Sequence, residues 1–69
     1  MDMHGFIREV YASATPAVDF DRAERITPWE HTIPESKYSE LVAKYAQSDD
    51  ERLWCAMWEM NSGPSLIKG

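Results

Sequence analysis

One cysteine, three glycines and seven basic residues in a chain of 69 close several routes to function at once. A lone thiol, Cys55, forms no internal disulfide and cannot build a multi-cysteine zinc site. Gly5, Gly63 and Gly69 lie far apart, so no glycine-rich loop can cradle a phosphate. The Lys and Arg residues form no stripe of the kind that gains affinity for nucleic acid by releasing counterions. No apolar run approaches a membrane span or the apolar region of a signal peptide, and Met1-Asp2-Met3-His4 carries no basic segment. A cytoplasmic protein without membrane or direct nucleic-acid contact is expected.

What is present is acid and aromatic. Twelve acids face seven bases, for a net charge of −5, and the chain is 43% hydrophobic and 12% aromatic. Residues 1–35 and 49–69 carry the acid excess, while 36–48 are slightly basic. Such a charge keeps a small protein soluble, and it also suits approach to a basic surface on another protein. Scaling for 8.0 kDa gives about 4,500 Å² of folded surface, one domain over 1–69 and a thin core. With no disulfide or metal to brace it, oligomerisation is the expected support.

Ser48-Asp49-Asp50-Glu51 is a capping box, and three acids in a first turn suit the positive end of a helix dipole. The spacing predicts a helix over about 49–60, stopped by Asn61-Ser62-Gly63-Pro64, with 62–69 as a tail. Upstream, Tyr38, Leu41, Val42, Tyr45 and Ala46 recur on one helical face, predicting a helix over about 34–47. Its start falls near Pro34, where Thr32 and Ser36 are both possible caps. So short a link between the two predicts an antiparallel hairpin over 34–61.

The first third, 1–33, is less regular. Phe6, Ile7, Val10, Tyr11 and Ala14 fit a helical face, although a strand fits so short a stretch as well. Residues 12–18 read as a connector, 19–26 as a short helix and 27–30 as a single capped turn. The expected class is all-α.

The second hairpin helix has an apolar arc of roughly 200°, about twice what one neighbour covers. Leu53, Met57 and Met60 are expected to face the Tyr38–Tyr45 stripe, with Cys55 on the polar side. Trp54 and Trp58 then sit one turn apart on the flank, each with about 200 Å² to hide. A homodimer packing two hairpins into a four-helix arrangement would cover them. In a monomer, Phe6, Ile7, Phe20 and Trp29 would have to do so instead.

Catalytic sets are not in view. Neither His4 nor His31 is spaced to activate Cys55, and the three share no metal-ligand spacing. A helix-turn-helix reading fails because Asp49, Asp50 and Glu51 would face phosphates. No catalytic residue, metal or cofactor is assigned. A non-enzymatic binding module is expected, with Tyr38, Tyr45, Trp54, Met57 and Trp58 as interface candidates, each at least as well suited to plain core, Tyr38 and Tyr45 more so because they share the stripe of Leu41 and Val42. The alternative is a small structural or assembly subunit of a larger complex.

The length, the opening Met1-Asp2-Met3-His4-Gly5-Phe6-Ile7-Arg8-Glu9-Val10-Tyr11 and the Trp54-Cys55-Ala56-Met57-Trp58 run resemble the small anti-activator proteins with which Pseudomonas phages silence quorum sensing. The resemblance implies a helical homodimer that binds a LuxR-type transcriptional regulator of the host and blocks its binding to DNA. It also implies a second target, the ATPase that assembles type IV pili, whose inhibition would exclude superinfecting phages. It assigns no individual residue a role.

Overall fold

Asp2 opens the first helix by accepting the Gly5 amide on its carboxylate, and the computed structural model, described here over residues 1–68, places α1 at Met3–Ser13. The helical option for the first third is the one taken. A connector follows, with a single 3₁₀ turn at Pro28–Glu30 where Thr27 Oγ1 donates to Glu30 at 2.5 Å. No regular helix forms over 19–26. Strand β1 (Thr32–Pro34) leads directly into α2 (Glu35–Tyr45), and α3 (Asp49–Ser62) is followed by β2 (Ser65–Ile67).

The all-α expectation is corrected by these strands. β1 and β2 run parallel, pairing Thr32 with Ser65, Ile33 with Leu66 and Pro34 with Ile67, so the class is an α/β mix. Local chemistry explains the change. Pro34 keeps an extended backbone (φ −59°, ψ 136°) at the α2 N-cap, and β-branched Thr32 and Ile33 extend it backwards. Gly63-Pro64 stops α3, after which Leu66 and Ile67 continue as strand rather than as a loose tail. A parallel pair needs a long crossover, and α2 with α3 supplies it. Thr15 bridges the other edge of β1 at Thr32.

The two helices of the expected hairpin are present, but they do not form its core alone. α1 packs closely on α2, whereas α2 and α3 are joined largely through side chains. Phe6, fully buried, is the centre: its ring meets Tyr38, Tyr45, Trp54 and Trp58 edge-on at 5.7–6.4 Å. Such edge-to-face geometry places positive ring edges on negative ring faces. Val10, Ile33, Leu41, Ala46 and Cys55 complete the cluster. The accessible surface of 4651 Å² matches the scaling for a chain of this mass. No helix among the described residues is long and apolar enough to cross a membrane.

Candidate interaction face on the third helix

Which way α3 turns decides what the molecule can offer. Ser48 Oγ accepts the Glu51 amide at 3.2 Å, as a capping box requires. The Glu51 carboxylate then turns inward rather than back to Ser48. It accepts from the Gln47 amide at 2.6 Å and from the Met1 ammonium at 2.8 Å. These two contacts, the ammonium first, hold its carboxyl below the usual range, and the carboxylate raises the ammonium in return. The Met1 side chain is buried, with Sδ 3.9 Å from Cys55 Sγ.

This roll of the helix reverses the expected face. Cys55 is fully buried, and burial pushes its thiol above the ordinary range, with Glu51 adding to the effect. Leu53, Met57 and Met60, expected to meet α2, are instead 62%, 53% and 77% exposed. The cause is the presence of α1. Phe6 needs aromatic neighbours on either side, and the small Cys55 lets α3 come close to Tyr38, whose hydroxyl donates to the Cys55 carbonyl at 2.5 Å.

The five interface candidates therefore separate. Tyr38 is core, and burial raises its phenol well above the ordinary range. Tyr45 is half-buried and donates to Glu9, which also accepts from Lys44 at 3.1 Å. Those two bonds, the tyrosine's first, lower the Glu9 carboxyl. Trp54 and Trp58 stack on each other, 6.3 Å between ring centres and 8° between planes, and lie half-buried against α1. The expected Trp surplus is thus largely met within the chain, by Phe6 and by Tyr11, which meets Trp58 edge-on at 6.1 Å. Met57 alone among the five lies out in solvent.

Sequence reading missed Leu53 and Met60 as free surface. With Leu53 at the zero of a helical wheel, Ala56, Met57 and Met60 all fall within about 60° of it, one unbroken stripe. Asp49 and Asp50 head the same side. Asp49 pairs with Arg52 at 3.2 Å, and Asp50 has no ion pair among the described residues. Beyond Met60 the stripe borders a cleft of about 520 Å³ whose far wall is Pro28 and the 73%-exposed Trp29. A signal for this face was legible: the arc was too wide, though its direction was not given.

His31 is buried, its Nδ1 2.7 Å from the Pro16 carbonyl and its ring edge-on to Tyr11. His4 lies on the surface, 2.5 Å from Asp21, which Arg8 also approaches. The histidines bond to Asp21 and to the Pro16 carbonyl, while Cys55 Sγ lies 3.9 Å from Met1 Sδ. Asp49 and Asp50 thus head an apolar, solvent-facing helix face. Compared with known families, curated proteins and solved structures, the chain matches none.

Proposed function

We propose that this chain is a non-enzymatic inhibitor that works in the host cytoplasm by occupying the surface of another protein. The single observation that carries the reading is the solvent-facing Leu53–Met57–Met60 stripe on a helix whose opposite side is locked into the core. The largest apolar patch on a protein surface is often the place where something docks. The resemblance to phage anti-activators supplies the target class: a LuxR-type regulator, engaged so that its DNA is displaced, with the pilus-assembly ATPase as a second target. The net charge of −5 supports that choice, because a surface made to receive phosphates also attracts an acidic protein.

Competition tests it. Purified chain added to a LuxR-type regulator bound to labelled operator DNA should release the DNA at near-stoichiometric ratio, less effectively as salt rises. Unchanged DNA binding and no complex in size-exclusion chromatography, at a hundredfold excess of the chain, would overturn the assignment. Homodimerisation belongs to the same proposal and is read separately by sedimentation equilibrium, where a dimer has about 16 kDa, twice the chain mass.

A further inference from the structure

The stripe on α3 has the spacing of a helix made to be inserted. Leu53, Ala56, Met57 and Met60 stand at i, i+3, i+4 and i+7, the anchor pattern by which an amphipathic helix seats in a groove of another protein. The helix is fixed before binding: Ser48 caps its start, the Gly63 amide bonds to the carbonyls of Trp58 and Glu59 at its end, and Cys55 is buried beneath. Little ordering cost is therefore left to the docking step. Resting on the protein-binding reading above, we infer that α3 is a ligand helix whose outward face enters an apolar groove of the partner, with Lys or Arg of that partner at the end that receives Asp49 and Asp50.

Charge selects this occupant over a second copy. Asp49 and Asp50 lie at the N-terminal end of the stripe, and the last turn of α3 contains no base. Two copies packed with α3 axes parallel set these acids against their own counterparts. Packed antiparallel, they set the acids against the partially negative carbonyl end of the other helix. A basic rim on a different protein meets them favourably in the orientation that the anchors impose.

Area points the same way. The exposed parts of Leu53, Met57 and Met60 amount to on the order of 300 Å² of apolar surface, so a symmetric pair sealed on this stripe buries on the order of 600 Å². A stable interface needs about 1,200 Å² or more. Two convex helices touch along a line and gain little beyond the stripe itself. A concave groove also reaches the flanks, Asn61 and Arg52, both exposed.

The test measures binding of the full-length chain to the purified DNA-binding domain of a LuxR-type regulator, by stopped-flow and equilibrium titration. Met57→Glu should weaken the complex at least about 30-fold, the loss typical of a central anchor. Asp49→Asn with Asp50→Asn should slow association several-fold and flatten its salt dependence, leaving dissociation nearly unchanged. Arg22→Ala, on the exposed 19–22 turn, should bind as the parent does. Circular dichroism and melting check that each variant folds. Parent binding indifferent to Met57→Glu overturns the ligand-helix assignment and leaves the function standing. A parent chain that does not bind overturns the function and the assignment with it. A dimer in sedimentation that Met57→Glu dissolves gives the stripe to a second copy and overturns the assignment alone.

Discussion

The Tyr38 hydroxyl donates to the main-chain carbonyl of Cys55 at 2.5 Å, joining α2 and α3 through the end of a side chain. The two residues stand equally far from the Ala46–Gln47 turn, so the bond sits where the helices would otherwise be free to slide. Tyr38→Phe keeps the ring against Phe6 and loses only the donor. Its expected cost is about 1 kcal/mol, read from the midpoint of urea unfolding at unchanged slope.

Phe6 carries more. Four aromatic rings close on it, two from α2 and two from α3. Phe6→Ala should remove about 3–5 kcal/mol, which is most of the stability of a domain this small. Thermal melting should show the transition displaced by tens of degrees or absent, whereas Phe6→Leu should keep a cooperative, lowered one.

Stability should fall at both ends of the pH scale. Glu9 and Glu51 have carboxyls lowered in the folded chain, by Tyr45 with Lys44 and by the Met1 ammonium with Gln47. A depressed carboxyl stabilises the fold above its unfolded value and ceases to do so as pH drops through the folded one. The loss therefore begins below the ordinary carboxyl value of 4.5. The ammonium, raised by Glu51, stabilises below its unfolded value of 8.0 and is lost as pH rises through the folded one. Glu51→Gln should flatten the alkaline arm and the acid arm each in part, in melting temperatures measured between pH 3 and 10, since Cys55 and Glu9 keep their own shares.

Cys55 should behave as a buried, inert thiol. Its neutral form is favoured by burial, and its surface is closed. An aromatic disulfide reagent should label it slowly in native buffer, at a rate that tracks opening of the fold, and at once in urea. Fast labelling of native protein would show that α3 rolls in solution to bring Cys55 outward and Leu53 in.

How much of this the residues announce depends on the range of the force that decides it. The start and stop of α3 are local, written in Ser48 and in Gly63-Pro64, and the structure has both. The start of α2 near Pro34 is local too, since proline fixes its own φ. The strands are three residues each, too short for an alternating pattern, and exist only because 32–34 and 65–67 meet. The roll of α3 is the instructive failure. Hydropathy weights Leu53, Met57 and Met60 above Cys55, but the inward face is chosen by shape. Phe6 takes the space that a plain hairpin would leave to those residues, and only a small thiol fits beneath it. Of the five interface candidates, four are thereby drawn wholly or partly into the core and Met57 is left facing water.

The short parallel ladder gives the molecule a clasp. Ser65 donates to the His31 carbonyl across more than thirty intervening residues, so both later helices lie inside a loop that this seam shuts. Closing a loop of that length costs more chain entropy than any contact within α2 or α3. Amide exchange at Ser65 should accordingly report whole-molecule opening, and trimming the last few amino acids should unfasten far more than it removes.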